Sequence, residues 1–345
     1  MKTYLNLMGL IRTTFIFLLF VFAGAAPPVL AQGGGGTPIR IAWQPDPNVA
    51  FYLARDKNLF EKAGLQPEYV KFLAAPPMFA ALQSGSVDVA DIGLPAAVIA
   101  KSQGIDIKII MVAVDVSGTN VLVAQKGQTI RSGKDLRGKR IGATKGSGTW
   151  YGLVRYLERD GLSMQDVQFL DLSAPNIVPA FRRGEVDAAW TWSPWQNLLV
   201  EMGGKPIASN KDIGALAPQV WVVRAEWARQ NPEALQRFMK GIDSAFQLIG
   251  ANRDLAAKAM SEMLNVDNKV ASDTLRASDH PDLKTQASVN YPLSVVAGYP
   301  GATAGLSLAA KNVAKFLHSQ GIIKATVAAD DVVDPGPLKR YLHLK

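Results

Sequence analysis

The sequence of 345 residues contains no cysteine and only three histidines. The absence of cysteine excludes disulfide bonds, and it excludes lipid attachment to a cysteine at a processed N-terminus. His280, His318 and His343 all lie in the C-terminal part of the chain. Without cysteine or a cluster of histidines and carboxylates at ligand spacing, the sequence predicts no metal site. It also offers no nucleophile elbow and no phosphate loop, so we assign no catalytic residue and expect no cofactor.

Concentrated charge is scarce as well. Charged residues make up 19% of the chain, and the net charge of +8 comes from lysines and arginines that are scattered along it. A nucleic-acid-binding protein would gather these residues together with aromatic side chains, so we expect no nucleic-acid partner. The charge supports a modest preference for anionic partners. With 48% hydrophobic residues, a chain of this length can bury a large core and is long enough for two domains.

The N-terminal residues have the pattern of an export signal. Lys2 and Arg12 precede an apolar run at residues 13–24, and Ala31 ends a stretch of small residues suited to cleavage. The sequence therefore predicts a cleaved signal peptide at residues 1–31, a flexible glycine-rich tail at 32–37, and an exported, periplasmic protein that is not a lipoprotein. The apolar run is short for a membrane span, and an uncleaved anchor is the alternative.

A short motif occurs twice. Residues 85–90 read Gly-Ser-Val-Asp-Val-Ala, and residues 184–189 read Gly-Glu-Val-Asp-Ala-Ala. Each copy follows an apolar run at helical spacing, where a glycine ends a helix cheaply in the left-handed conformation, and each leads into a short apolar strand. The repeat predicts two similar lobes that face a shared ligand, and chance similarity of two helix–strand junctions is the alternative. We expect Asp88 and Asp187 to be strand-start residues rather than a catalytic pair.

Strands alternate with helices as far as residue 223, and helices follow. The predicted strands are residues 39–43, 68–72, 87–92, 107–114, 121–124, 140–144, 167–170, 186–190 and 220–223. This alternation is typical of α/β folds with parallel sheets. We expect two lobes, each a mainly parallel sheet flanked by helices. Lobe 1 comprises residues 38–120 and 221–345, and lobe 2 comprises residues 121–220. Crossing segments near 115–123 and 218–224 would form the hinge.

Ligands of open parallel sheets bind beyond the carboxyl ends of the strands, so the residues that follow each strand are candidates for the binding site. These candidates are Gln44, Asp46, Asn48, Gly93, Leu94, Asp115, Ser117 and Gln219. Residues 145–150, Lys-Gly-Ser-Gly-Thr-Trp, lie between a strand and a helix. There the hydroxyls of Ser147 and Thr149 join free helix amides in an arrangement that binds anions. An ordinary capped turn is the alternative. We expect Trp190 in the core and Trp192 in the wall of the cleft.

Several of these motifs occur together in one known family. They are residues 85–93, the segment 135–142 (Asp-Leu-Arg-Gly-Lys-Arg-Ile-Gly), Trp192-Ser-Pro and the run 220–224 (Val-Trp-Val-Val-Arg). In this order and spacing the chain resembles the taurine/nitrate/sulfonate-binding periplasmic proteins of ABC transporters, and most of all the taurine-binding branch. The resemblance covers residues 38–325.

The resemblance implies a two-lobed periplasmic binding fold of the second topological type. Such a protein, usually a monomer, captures a small anionic ligand, here a sulfonate, and delivers it to the membrane permease and ATPase of an importer, in the service of sulfur assimilation. By the same resemblance, Ser147, Thr149 and Trp150 correspond to the anion-binding turn, Trp192 to the aromatic residue of the cleft, and Gln44 to the loop after the first strand.

Two departures bear on the ligand. The taurine-binding branch commonly has hydroxyl residues where this chain has Leu94, and an acidic residue where it has Gln219. The resemblance therefore implies a ligand without an amine, or one whose amine is met by Asp46 or Asp115. Nitrate or a thiamine-pyrimidine precursor is the alternative ligand. A pyrimidine-synthase-like enzyme, whose cysteine and histidine motifs are absent here, and a ligand-sensing adaptor are alternatives of other classes.

Overall fold

The computed structural model describes residues 36–216 and 218–345. The predicted signal peptide at 1–31 and residues 32–35 of the predicted tail lie outside the described residues. Thr37, which we placed in the tail, instead begins the first strand. Its N–H donates to the carbonyl of Gly64 over 2.9 Å, and it pairs with Leu65 in a parallel ladder. These backbone bonds draw the end of the predicted tail into the sheet.

Ten strands form two sheets in the described residues. The strands are β1 Thr37–Trp43, β2 Leu65–Lys71, β3 Val89–Gly93, β4 Ile107–Val114, β5 Val121–Ala124, β6 Arg140–Ala143, β7 Gln168–Asp171, β8 Ala188–Thr191, β9 Lys205–Ser209 and β10 Gln219–Arg224. The first sheet has the order β2-β1-β3-β10-β4, and the second has the order β7-β6-β8-β5-β9. The sequence analysis missed β9.

The two sheets share one plan. In the first, β10 runs antiparallel between β3 and β4, and in the second, β5 runs antiparallel between β8 and β9. The other strands of each sheet point one way, so four of five are parallel, which confirms the mainly parallel prediction. The two copies of the repeated motif lead into β3 and β8, which hold the same place in their sheets. Gly85 and Gly184 have φ of 75° and 70°, the left-handed conformation that glycine adopts without strain.

Helices flank both sheets. They are α1 Val49–Asp56, α2 Leu59–Lys62, α3 Ala75–Ser84, α4 Leu94–Ser102, α5 Gly148–Arg159, α6 Ala174–Arg182, α7 Trp195–Glu201, α8 Ala225–Gln230, α9 Pro232–Ala251, α10 Arg253–Leu264, α11 Asn268–Ala277, α12 Leu283–Ala287, α13 Gly305–Ser319, α14 Ala329–Val332 and α15 Gly336–Tyr341. No helix in the described part of the chain is long and apolar enough to cross a membrane.

The cores follow from the side-chain periodicities. In the second sheet, the neighbours Leu122 and Val123 enter two different hydrophobic clusters, because successive side chains of a strand point to opposite faces. The C-terminal helices return to the core of the first sheet, as we expected. Along α9 the apolar residues fall on one face, and Phe238 stacks on Phe60 with ring centroids 5.3 Å apart.

The chain passes from the first sheet to the second between β4 and β5, and it returns between β9 and β10. These two connections lie beside the segments predicted to join the lobes. The boundaries of the lobes, and closure about these connections, stay predictions.

Candidate functional site

A cavity of about 480 Å³ is lined by residues that follow strands of both sheets. Half of the twelve predicted site residues line it: Gln44, Gly93, Ser147, Thr149, Trp192 and Gln219. The other six lie outside its lining: Asp46, Asn48, Leu94, Asp115, Ser117 and Trp150. The cavity therefore stands where ligands of open α/β sheets bind, beyond the carboxyl ends of the strands.

The turn between β6 and α5 forms one end of the cavity. Ser147 caps α5, since its Oγ accepts a hydrogen bond from the N–H of Trp150 over 3.3 Å. The Ser147 and Thr149 hydroxyls are 2.8 Å apart, and the Ser147 hydroxyl also donates to the carbonyl of Thr144 over 2.6 Å. The first amides of the helix, at Gly148 and Thr149, have no partner within the helix and point outward at its positive end. This end of the cavity has the donors that an anion requires.

Gly146 makes that turn possible. Its φ is 78°, and a Cβ at this position would stand 3.0 Å from Cδ1 of Ile99 in α4. The backbone conformation therefore favours glycine, and the Ile99 side chain would have to shift to admit a larger residue.

The electrostatics of the lining favour negative charge. Among the described residues that line the cavity, Lys145 is the only one with a formal charge, and no carboxylate is present. Lys145 is exposed at the edge of the turn, and its N–H is held by Oδ1 of Asp171 over 2.9 Å. Helix amides, two hydroxyls and one cation thus meet at the turn, and the described lining contains no carboxylate that would repel an anion.

Trp192 forms part of the wall, and it links the two sides of the cavity. Its Nε1 donates to the carbonyl of Pro45, in the loop after β1, over 3.4 Å. Gln44 and Pro47 of the same loop line the cavity beside it. Trp190 is fully buried in the core of the second sheet, where it meets Tyr156 edge to face. Trp190 thus lies in the core, whereas Trp192, the residue after β8, lines the cavity.

Gln219, the first residue of β10, presents its carboxamide to the cavity. The side-chain Oε1 is buried and has no hydrogen-bond partner in the described chain. Gly93, across the ladder from Gln219, has no side chain to cover it, and a Cβ there would stand 3.5 Å from that Oε1. Asn120, on the connection before β5, lines the cavity as well, although the sequence analysis did not select it.

Asp46 and Asn48 lie beneath the cavity rather than in its wall. The Asp46 carboxylate accepts from the N–H of Asn48 over 2.9 Å, and the Asn48 amide caps α1 and donates to Asp91 over 2.7 Å. Oδ2 of Asp46 and Oδ1 of Asp91 are buried and have no hydrogen-bond partner among the described residues. Burial and mutual repulsion raise the pKa of Asp46, and burial raises the pKa of Asp91 to about 7. Protonation of one carboxyl relieves the repulsion within this pair.

Two further buried groups hold the loop after β1. The Tyr52 hydroxyl donates to the carbonyl of Asp46 over 2.6 Å, and the Nε2 of His280 is 3.0 Å from the carbonyl of Pro47. Burial lowers the pKa of His280 to about 4, so the ring is neutral at pH 7 and donates its proton to that carbonyl. The only histidine near the cavity is thus a structural support in the described residues.

The remaining predicted residues are engaged elsewhere. Asp115 accepts from both the N–H and the hydroxyl of Ser117, at 2.9 and 2.6 Å. Leu94 is fully buried in the core. Trp150 points away from the turn and packs on Phe316, with ring centroids 5.1 Å apart. The sequence identifies several candidate residues in each loop that follows a strand. Tertiary packing determines which of them face the cavity.

Two helices contribute lining residues that the sequence analysis missed. Phe79 and Ala80 of α3 and Ile99 of α4 give the cavity an apolar side. The helical spacing of these residues predicts a buried face, but it does not distinguish a helix that lines a cavity from one that packs in the core. Within residues 36–216 and 218–345, no group of three or more histidine or acidic residues is placed to hold a metal ion.

The chain is similar in sequence to several known proteins. Residues 47–256 match the family described as NMT1/THI5 like. The taurine-binding periplasmic protein of Escherichia coli (strain K12) is 29% identical over 304 residues, covering 87% of this chain and 92% of that protein. The putative aliphatic sulfonates-binding protein of Bacillus subtilis (strain 168) is 28% identical, covering 76% of this chain and 81% of that one.

Among solved structures, the alkanesulfonate-binding protein SsuA from Xanthomonas axonopodis pv. citri, bound to MOPS, has a TM-score of 0.73 to this chain at 24% identity. The match covers 87% of this chain and 99% of SsuA. This likeness is one of fold. It confirms the α/β architecture of periplasmic binding proteins that the sequence predicted.

Proposed function

Because the chain belongs to the NMT1/THI5-like family, we propose that it is the solute-binding protein of an ABC importer and captures a small organosulfonate in its cavity. The observation that carries this proposal is the turn at the start of α5. There the free helix amides, the Ser147 and Thr149 hydroxyls and Lys145 converge in a lining without carboxylates. A sulfonate presents three oxygens that accept hydrogen bonds from such donors.

The apolar side of the cavity favours an organic anion over an inorganic one. Trp192, Phe79 and Ile99 line it beyond the turn. Nitrate or sulfate would leave this surface without a partner, whereas the carbon chain of a sulfonate removes apolar area from water on both sides. The relatives named for taurine and aliphatic sulfonates support the same class of ligand.

The remaining parts of the proposal follow from that role. We place the protein in the periplasm after removal of residues 1–31, as a monomer that delivers its ligand to a membrane permease and its ATPase. Lobe 1, residues 38–120 and 221–345, and lobe 2, residues 121–220, would close on the ligand about the two connections between the sheets. The relative from Escherichia coli, which is named a periplasmic protein, supports this location.

We propose binding without a chemical step. The described lining has no histidine or acidic residue to act as a general base, and the chain has no cysteine to act as a nucleophile. One relative, 22% identical, is named a 4-amino-5-hydroxymethyl-2-methylpyrimidine phosphate synthase, and a pyrimidine precursor therefore belongs among the ligands to be tested.

A thermal-shift screen of the purified protein tests the proposal. Taurine, alkanesulfonates of increasing length, nitrate, sulfate and a thiamine pyrimidine would each be added in excess. A ligand at one hundred times its dissociation constant stabilises the folded state by about 2.7 kcal/mol, which raises the melting temperature measurably. We expect a shift with sulfonates alone. A shift with nitrate or the pyrimidine, and none with any sulfonate, would contradict the proposal.

A further inference from the structure

Beyond the anion-binding turn, the buried polar groups of the cavity are carboxamides. Gln44, Asn120 and Gln219 line it and are 6%, 3% and 7% exposed. None of their side chains makes a hydrogen bond to another described residue, and Oε1 of Gln219 is enclosed without a partner. Buried polar groups are almost always hydrogen-bonded, so the unpaired oxygen of Gln219 in the cavity lining marks a place where a ligand can complete the bonding of a carboxamide.

A buried amide that serves structure alone is shown by Gln286. It is fully buried, and its side chain accepts from the N–H of Val112 and donates to the carbonyls of Val112 and Pro281, at 2.8, 3.0 and 2.8 Å. Oδ1 of the buried Asn210 lacks a partner, as Oε1 of Gln219 does, but Asn210 lies outside the cavity lining. The place of Gln219 in the lining, together with its unpaired oxygen, assigns this residue to ligand binding.

The same surface offers nothing to an ammonium group. The described lining contains no carboxylate, and its one charge is the cation of Lys145. Asp46 and Asp115 lie outside the lining, where each accepts hydrogen bonds from its own loop. An ammonium ion that enters the cavity would lose its water without gaining a counter-charge, which is strongly unfavourable.

A hydroxyl is the group that matches an unpaired carboxamide. A carboxamide carries both a donor and an acceptor, and a hydroxyl also carries both, so one hydroxyl can pair with the Gln219 carboxamide without any charge. The cavity, at about 480 Å³, lies within the usual range of about 300–1,000 Å³ for organic ligands and has room for a substituted chain.

We propose that the sulfonate taken by this protein is a hydroxylated one without an ammonium group, and that Gln219 selects it by binding its hydroxyl. This inference rests on the function proposed above. Gln44 and Asn120 stand on two other connections around the same space and bind further polar atoms of the tail, while the sulfonate occupies the turn at the start of α5.

Calorimetry with three two-carbon sulfonates tests this selection directly. They are 2-hydroxyethanesulfonate, ethanesulfonate and taurine, which differ only in a terminal hydroxyl, hydrogen or ammonium. We expect the hydroxyl compound to bind about tenfold more tightly than ethanesulfonate, because one buried hydrogen bond is gained. We expect taurine to bind at least about tenfold more weakly than the hydroxyl compound.

Two outcomes overturn the inference in different ways. Taurine binding as tightly as the hydroxyl compound, or more tightly, would refute the selection and leave the sulfonate-binding function standing. No binding by any of the three, nor by longer hydroxylated sulfonates such as 2,3-dihydroxypropane-1-sulfonate, would refute the function and the inference together.

Two substitutions locate the selection at Gln219. Gln219→Glu supplies the missing carboxylate, and we expect it to reverse the order, with taurine gaining about tenfold and the hydroxyl compound losing about tenfold. Gln66→Glu makes the same change of charge at an exposed position of β2 outside the lining, so the order should stay as in the wild type. A reversal in both variants, or in neither, would overturn the assignment to Gln219.

Gly93→Ala is a second test that does not alter charge. Gly93 has an extended backbone with φ of −65°, and the new Cβ would meet Gln219 Oε1 at an ordinary 3.5 Å, so the variant folds. The methyl group would take up space beside the Gln219 carboxamide. We expect the variant to lose the roughly tenfold preference for 2-hydroxyethanesulfonate over ethanesulfonate. A preserved preference would show that the hydroxyl is bound elsewhere.

Discussion

Arg40 and Asp88 are joined by three hydrogen bonds between neighbouring strands of the first sheet. The backbone N–H, Nε and Nη2 of Arg40 donate to the carboxylate at 2.9, 3.0 and 2.6 Å. Arg140 and Asp187 repeat the arrangement in the second sheet at 2.8, 3.3 and 2.8 Å. The aspartates are the fourth residues of the two repeated motifs. The sequence repeat is thus a repeated ion pair that fixes the start of β3 on β1 and of β8 on β6.

Removing the first of these carboxylates should destabilise the fold. Asp88 is almost fully buried, and Asp88→Ala leaves the N–H of Arg40 without its acceptor. We expect a loss of about 2–3 kcal/mol in the free energy of unfolding, measured by urea titration. Asp106→Ala is the control, since this carboxylate is 59% exposed in its pair with Lys101 and should change stability by about 0.5 kcal/mol or less. Equal losses in the two variants would contradict the structural role.

Trp192 should contribute to affinity through apolar contact. Replacing it by alanine removes part of the cavity wall and the link to Pro45, so we expect a loss of about 1–3 kcal/mol in the binding free energy of an alkanesulfonate, measured by calorimetry. Trp192→Phe keeps an aromatic wall and should lose less. An unchanged affinity in Trp192→Ala, with the melting temperature preserved, would remove this residue from the site.

The Thr149 hydroxyl should bind the sulfonate. Thr149→Val keeps the shape of the side chain and removes one donor at the start of α5, so we expect a roughly tenfold loss of sulfonate affinity. The matched control is Thr191→Val, because the Thr191 hydroxyl is buried without a partner and lies outside the lining. Its removal should leave affinity unchanged and be neutral or favourable for stability. Equal affinities in the two variants would argue against an anion at this turn.

Asp91 should make stability depend on pH in an unusual direction. Its folded pKa is raised to about 7 by burial, above the unfolded value of about 3.9, so the stability it contributes is present at low pH. That contribution is lost as the pH rises from about 4 through 7. Asp91→Asn cannot ionise, and its free energy of unfolding should rise relative to the wild type across this window. Urea titrations at several pH values measure the difference, and parallel profiles would contradict the buried carboxyl pair.

His280 should act in the opposite sense. Burial lowers its folded pKa to about 4, below the unfolded value of about 6.5, so its contribution to stability is present above pH 6.5. As the pH falls from about 6.5 to 4, this histidine becomes protonated in the unfolded chain but stays neutral in the folded chain. The free energy of unfolding therefore falls. His280→Gln keeps a donor for the Pro47 carbonyl without this titration and should show a shallower loss on acidification. A variant profile as steep as that of the wild type would place the titration elsewhere.

Local sequence patterns predicted most of the helices and strands, because helix caps, glycines that end helices and apolar runs each depend only on residues close together in the sequence. β9 was missed because Lys205 and Pro206 interrupt its pattern, as is common for an edge strand. The antiparallel insertion of β10 and β5 could not be predicted, since each of these strands pairs with strands that are distant in the sequence.

The site was predicted in part for the same reason. The anion-binding turn, Trp192, Gln44 and Gln219 were found because they follow or begin strands. Asp46, Asn48 and Trp150 occupy equivalent places in their loops, yet they turn into the protein to support the loop after β1 or to pack beneath the turn. Tertiary packing determines which side of a loop faces the cavity, so this cannot be predicted from a local sequence pattern.

A crystal structure with bound 2-hydroxyethanesulfonate tests the central claim most directly. The account predicts sulfonate oxygens within hydrogen-bond distance of the amides of Gly148 and Thr149 and of the Thr149 hydroxyl, with the tail beside Trp192 and the hydroxyl at the carboxamide of Gln219. A sulfonate bound outside this cavity, or one whose sulfonate group lies at Gln219 with its tail at the turn, would contradict the account.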